Sequence, residues 1–236
     1  MEIPTVVYLA VHHVEDILQD RDLKQLMAEL PQHDRDRIGR FRRPRDQRQR
    51  LAGTLLLRRA LSRAIGRDFE NVPIQRTTRG RPFVDSLVYP GDFNLSHHGA
   101  WLAVAWTAHG RVGVDLAGIG QVRLKVAQYV CSNEEIAYLD GLAEEPQAQA
   151  LATLWALKEA YTKAVGFGMS RQAQQLSFRP KVGQPQFTLF GADPAWTFSV
   201  LEAAPATVAA IATDRPHQVR SASLTPLESS RVGVDL

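Results

Sequence analysis

The sequence predicts an α+β fold built from two mixed halves that meet near residue 110. Three observations predict it. Stretches of helical and strand periodicity occur in both halves, and each half closes on strands. Helix punctuation is strong: Ser132 stands three residues before Glu135, and Gly66 and Gly166 follow long apolar-periodic runs. Two apolar runs, WLAVAWT at 101–107 and RVGVDL at 111–116, read as buried strands joined by a turn at 108–110. The expected units are therefore an N-terminal half over 1–110, a C-terminal half over 111–215, and a polar, mobile tail over 216–236.

The elements follow in order. Residues 4–11 read as a strand. Asp22–Leu30 reads as a short helix closed by Pro31, and Asp34–Phe41 as another, stopped before Pro44 because the residue preceding a proline resists helical dihedrals. A longer helix is expected over Asp46–Ile65, with Leu51, Leu55, Leu56, Ala60 and Leu61 as its apolar stripe. Gly53 weakens it, a choice that suits close packing. A Gly/Pro-punctuated region with short extended pieces runs to FNLSHHG at 93–99, which reads as a turn. Past Val122 come a helix, a second one capped by Ser132, and a third running through Trp155 to its stop at Gly166 and Gly168, with Pro146 in its first turn. QQLSFRP, QFTLF, WTFSVLEA and ATVAAIAT follow as strands. RVGVDL recurs letter for letter at 231–236, without similar flanks.

With 44% hydrophobic and 22% charged residues among 236, an ordinary core is expected and a disordered chain is excluded. No apolar run approaches the length of a membrane span. The start, MEIPTVVYLAV, lacks the basic region of a signal peptide. One cysteine, Cys131, forbids an internal disulfide and fits a reducing, cytoplasmic setting. The net charge of +3 is unevenly placed: residues 33–67 hold twelve arginines, no lysine and three acids. Such a segment suits a polyanionic partner, and arginine favours bidentate phosphate contacts. A solvated helix face accounts for several of these arginines equally well.

The candidate chemistry lies in three places. Asp115 closes a run of small apolar residues, and Gly113 before it allows close approach of backbone or ligand; a strand-end aspartate capping the next element is the alternative. In LWALKEAYTKAVGFGM, Lys158 falls beside the apolar stripe, where it needs an anion or must reach out to solvent. Glu159 and Lys163 lie one turn apart, as an ordinary surface pair or as site residues. Asp115 and Glu159 together suit a hard, oxygen-seeking cation held against phosphates. Ser96 and His97 are phosphate donors in the third segment. No GxSxG, P-loop, GxGxxG, zinc spacing or HExxH is present.

In this order and spacing, RGRP, FNLSHHG, RVGVDL, the SNEE helix start and WALKEAYTKAVGFGM resemble the 4′-phosphopantetheinyl transferase superfamily, of the surfactin-synthetase-activating (Sfp) type. The signature blocks (V/I)G(V/I)D and (F/W)xxKE(A/S)xxK stand at Val112–Asp115 and Trp155–Lys163, and the resemblance covers residues 35–170 directly. It implies a pseudodimer of two α+β halves, each a small antiparallel sheet packed with helices, with coenzyme A in the cleft between them. It implies transfer of the phosphopantetheine arm of coenzyme A to a serine of an acidic apo carrier protein, with release of 3′,5′-ADP, by a monomer that needs neither nucleic acid nor membrane. Asp115 and Glu159 would bind Mg²⁺, with Mn²⁺ as the alternative. Lys158 and Lys163 would face the pyrophosphate, Ser96 and His97 would bind phosphates, and Arg81 would flank the adenosine. Arg40, Arg48 and Arg50 lie where the family has basic 3′-phosphate contacts, with Gln49 at a position where a basic residue is usual. Either Glu159 or Glu135 would be the general base, and for Glu135 a capping box is the competing reading. One departure concerns the metal shell: many members carry Asp-x-Glu, and here the third position is Ala117, so water would replace that ligand. The competing functions are a coenzyme A-binding homologue without catalysis and a basic nucleic-acid-binding module, although no reading motif for the latter is present.

Overall fold

The computed structural model describes residues 4–166, 174–180, 187–190 and 195–224. The N-terminal half runs β1 (Thr5–His13), α1 (Val14–Leu18), α2 (Leu23–Ala28), α3 (Gln32–Gly39), α4 (Pro44–Ile65), β2 (Gln75–Arg76), β3 (Pro82–Phe83), β4 (Asp92–His98) and β5 (Trp101–Thr107). The C-terminal half repeats that layout with β6 (Val112–Gly118), α5 (Leu124–Val130), α6 (Asn133–Asp140), α7 (Glu144–Val165), β7 (Ser177–Pro180), β8 (Phe187–Phe190), β9 (Thr197–Ala204) and β10 (Thr207–Thr213). The sheets also match: β1-β5-β4 in one half and β6-β10-β9 in the other, each ordered first strand, last strand, next-to-last strand. Each half adds a short hairpin, β2-β3 or β7-β8, and a 22-residue helix. The fold is thus a pseudodimer of two α+β halves, as the sequence predicts.

The long helices form for the same reasons twice. Pro44 and Pro146 sit in first turns, where a missing N–H costs nothing, and Gly66 and Gly166 end the helices in the left-handed region at φ +70° and +93°. Leu51, Leu55, Leu56, Ala60 and Leu61 of α4 are buried against β4 and β5; Leu154, Leu157, Ala160 and Ala164 of α7 are buried against β6 and β10. A third apolar cluster joins the halves, with Val7, Leu9, Ala103 and Ala105 packed on Val112, Val114, Ala209 and Ile211.

Two readings are corrected. FNLSHHG is not a turn: residues 92–98 form β4, because Phe93 is drawn into the core while its alternate neighbours Asn94 and Ser96 face β6. The expected tail contributes β11 (His217–Ser221), parallel to β1 from Thr5↔His217 to Leu9↔Ser221. β11 also ties the halves together, since its His217 hydrogen-bonds Thr197 and Ser199 of β9, both at 2.9 Å. Burial holds that imidazole below its ordinary pKa and so in the neutral form these bonds use. Leu224 is buried in the N-terminal core. Periodicity missed β11 because a sheet edge with one covered face leaves only a weak pattern. Gly168, Met169 and the second RVGVDL lie outside the described residues. Among those described, no helix is long and apolar enough to cross a membrane.

Candidate functional site

The site begins with a glycine. A Cβ on Gly113 would lie 2.0 Å from the Ala160 carbonyl oxygen, so only glycine lets β6 run directly against α7. The backbone that approaches Gly113 is thus that of α7. This contact brings Asp115 of β6 to Lys163 of α7, whose Nζ donates to Asp115 Oδ1 at 2.5 Å, to Ser96 Oγ at 3.0 Å and to the Val114 carbonyl at 3.3 Å. Asp115 lies in the middle of β6, buried, and not at a strand end. Ser96 Oγ donates to Asp115 Oδ1 at 2.7 Å and accepts from the Leu116 N–H at 3.3 Å. Ser96 therefore orients the carboxylate while also facing the cavity described below.

Glu159 joins this group one turn before Lys163. Burial, and next the negative charge of Asp115, push its carboxyl above the ordinary range, while Lys163 opposes them. Two carboxylates, hard oxygen donors from a strand and a helix, fit a divalent cation such as Mg²⁺. No group of three or more His, Cys, Asp or Glu side chains suited to a metal occurs among the described residues. Ala117, two residues after Asp115 on β6, is buried and offers no side-chain donor.

This electrostatic arrangement gives a test of its own. Because the folded-state pKa of Glu159 is raised, its contribution to stability is present below the unfolded pKa and is lost as pH rises through the folded one. Glu159→Gln is therefore expected to melt higher than the parent at pH 7 without divalent cation. The gap should close as pH falls below the carboxylate range, and Mg²⁺ should raise the melting temperature of the parent alone. Thermal melts across pH check this; a Glu159→Gln protein that melts lower at pH 7 contradicts it.

Beside the carboxylates opens a cavity of about 270 Å³, walled by Arg37, Arg50, Arg76, Ser96, His97 and Lys163, with Thr54 and Gly53 of α4 at its floor. Cations crowd it. Burial, and next the charge of Arg37, lower the Arg76 guanidinium to about 10. Burial and then Arg50 and Lys163 hold His97 below its usual value. Arg37 is anchored through Thr54 Oγ1 at 2.9 Å, and its buried Nε has no hydrogen-bond partner among the described residues. So many cations with so few acids between them call for an anion. Arg37 and Arg76 were missed in the sequence; the available signal was that Arg37 lies one helical turn from Arg40 and that Arg76 shares a hairpin with Arg81.

Of the remaining predicted residues, Arg50 and His97 reach the cavity and several do not. Lys158 is fully buried, 2.8 Å from Glu135 Oε2 and 2.6 Å from the Leu176 carbonyl. Its expected role at the pyrophosphate is corrected, because its anion is internal. Glu135 is equally buried; it caps α6 through the Ser132 N–H at 2.8 Å and accepts the Phe178 N–H at 2.7 Å. Both carboxylate oxygens are engaged, so its candidacy as general base is corrected in favour of the capping box. Arg48 pairs with Glu15 on the surface, and Arg81 pairs with Asp92 at 2.7 Å, so neither lines the cavity. Arg40 is exposed at the end of α3. The other arginines divide as well: Arg58 is fully buried on Asp34 at 2.8 Å, and Arg42, Arg43 and Arg45 are exposed at the α3–α4 turn. Cys131 is buried with its thiol raised to about 11, which fits a structural role.

Two family models match the chain. A family model described as 4′-phosphopantetheinyl transferase, N-terminal, matches residues 19–109, and one described as 4′-phosphopantetheinyl transferase superfamily matches residues 111–214. The boundary between them falls between β5 and β6. The chain is 32% identical over 130 residues to the 4′-phosphopantetheinyl transferase gsp of Aneurinibacillus migulanus, covering 55% of this chain and 53% of that one. It is 30% identical over 174 residues to a phosphopantetheinyl transferase of a Thraustochytrium species, covering 67% and 60%. Over 168 residues it is 27% identical to the 4′-phosphopantetheinyl transferase Sfp of Bacillus subtilis strain 168, covering 69% and 74%. The match spans a little over half the length of the first two of these relatives.

Proposed function

The chain belongs to the 4′-phosphopantetheinyl transferase superfamily, and we propose that it transfers the phosphopantetheine arm of coenzyme A to a serine of an apo carrier protein, releasing 3′,5′-ADP. The observation that carries this reading is the position of Lys163. Its Nζ lies 2.5 Å from Asp115, and the same side chain walls the arginine-lined cavity. One group thus borders both a metal-suited carboxylate pair and an anion site, which is where the pyrophosphate of coenzyme A belongs.

In the reaction the serine oxygen forms a bond to the phosphorus that carries pantetheine, the bond to the bridging oxygen breaks, and 3′,5′-ADP departs. Arg37, Arg50, Arg76 and His97 would hold the phosphates of the nucleotide and so fix the reacting phosphorus relative to β6. Lys163 would donate to the oxygen on which charge builds. Asp115 and Glu159 would hold Mg²⁺, which when bound supplies neutralisation of the pyrophosphate charge. Glu159 would also take the serine proton, directly or through a water, because both oxygens of the other predicted base, Glu135, are engaged internally. The exposed arginines at the α3–α4 turn suit steering of an acidic carrier domain.

Intact-mass spectrometry of an apo carrier protein incubated with this protein, coenzyme A and Mg²⁺ tests the proposal. The expected result is a mass gain of one phosphopantetheine, abolished by EDTA. Coenzyme A binding without transfer to any of several carriers would make the chain a non-catalytic homologue. Salt-sensitive DNA binding without coenzyme A affinity would make it a nucleic-acid module.

A further inference from the structure

β4 and β6 are the facing edges of the two sheets, and no backbone ladder joins them. Three side chains of β4 take the place of carbonyls. Asp92 Oδ2 accepts the Val112 N–H at 3.0 Å, Asn94 Oδ1 accepts the Val114 N–H at 3.2 Å, and Ser96 Oγ accepts the Leu116 N–H at 3.3 Å. Both strands advance by two residues per rung, so the pairing runs parallel, with every second β4 side chain on every second β6 amide. The first rung is clamped by Arg81, whose Nη2 donates to Asp92 at 2.7 Å and to the Val112 carbonyl at 3.4 Å. The last rung reaches Asp115 and Lys163 through Ser96.

Asn94 is the middle rung and is buried. Among the described residues it bonds neither Asp115 nor Lys163. Its partner is the N–H of Val114, in the Gly113–Val114 peptide, and the carbonyl of that same residue, just before Asp115, accepts from Lys163. On the other edge of β6, Val114 and Asp115 are registered to Ile211 and Ala210 of β10. The β4 rungs, with the apolar cluster between the sheets, thus set this stretch of β6 against the N-terminal half and its cavity.

We propose that Asn94 is a positioning residue for the carboxylate site: by holding the Val114 amide it fixes Asp115 between the metal-suited Glu159 and the arginine-walled cavity. The relevance to transfer rests on the reading given under the proposed function, but the positioning can be tested without turnover. Mn²⁺ affinity, by titration followed by electron paramagnetic resonance, and coenzyme A affinity, by calorimetry, are measured for the parent, Asn94→Ala and Asn94→Asp. Asn94→Ala leaves the Val114 N–H without an acceptor, and Mn²⁺ should bind about 10–100-fold more weakly, the range for a lost outer-shell partner. Coenzyme A, measured without divalent cation and held chiefly by Arg37, Arg50, Arg76 and His97, should keep its affinity. Asn94→Asp restores an acceptor and should recover most of the Mn²⁺ affinity. The proposal is overturned if Asn94→Ala binds Mn²⁺ like the parent, if both ligands weaken together as in a general loss of structure, or if Asn94→Asp fails to recover. A parent protein that binds both ligands yet transfers nothing would instead overturn the transferase reading and leave the rung standing.

Discussion

Asp115→Ala is expected to lower transfer by about 10³-fold or more, the scale of losing a preorganised charge at a phosphoryl centre. The loss should fall on kcat, because in the proposed reading coenzyme A would be held by Arg37, Arg50 and Arg76 of the cavity wall. Truncation also leaves Lys163 without its 2.5 Å partner, so alanine alone conflates two losses. Asp115→Asn separates them. The amide oxygen still accepts from Ser96 and Lys163, but the charge that a cation needs is gone. Asn is therefore expected to be nearly as inactive as Ala. Steady-state assay of both variants across Mg²⁺ concentrations checks this. An Asn variant with near-parental kcat would reduce Asp115 to an orienting group and sink the two-carboxylate site.

Breaking the pair Lys158–Glu135 is expected to have the largest effect on stability. Both groups are buried, 2.8 Å apart. Lys158→Met strands the Glu135 carboxylate inside the C-terminal half, at a cost of about 3–5 kcal/mol. For a chain of this size each kcal/mol lowers the melting temperature by about 2–4 °C. Adding Glu135→Gln should recover part of the loss, because no uncompensated charge then remains and the amide oxygen still serves one backbone N–H. Thermal unfolding of the two single variants and the double variant measures this coupling. The same series decides the role of Glu135. A structural carboxylate predicts that Glu135→Gln loses stability while its transfer per folded molecule persists. A stable Glu135→Gln protein with abolished kcat would return Glu135 to the base position.

The arginine-rich segment shows how far charge can be read without a fold. Its composition pointed to a polyanion, and part of it meets one plausible site through Arg37 and Arg50. Arg58 instead holds α4 to α3 through Asp34 and to the Phe69 and Val72 carbonyls at 3.1 and 3.2 Å. Arg48 is spent on Glu15. A guanidinium looks the same in a sequence whether its partner is internal or external; only packing distinguishes the two.

The amino-acid sequence by itself determined both long helices with their glycine stops, the capping box at Ser132, and the two motif blocks that carry Asp115, Glu159 and Lys163. These are local: they depend on 3.6- and 2-residue periods, on the φ freedom of glycine, and on a two-block pattern with fixed residue types. The tertiary structure alone decided which cations face the cavity, that Lys158 and Glu135 satisfy each other, that residues 92–98 form a strand whose side chains serve as rungs, and that residues 217–221 complete a sheet begun at Thr5. Each of these is a pairing between residues distant in the chain. Its free energy comes from desolvation at a contact, and no periodicity records which of several equivalent charges or edges will be buried against which.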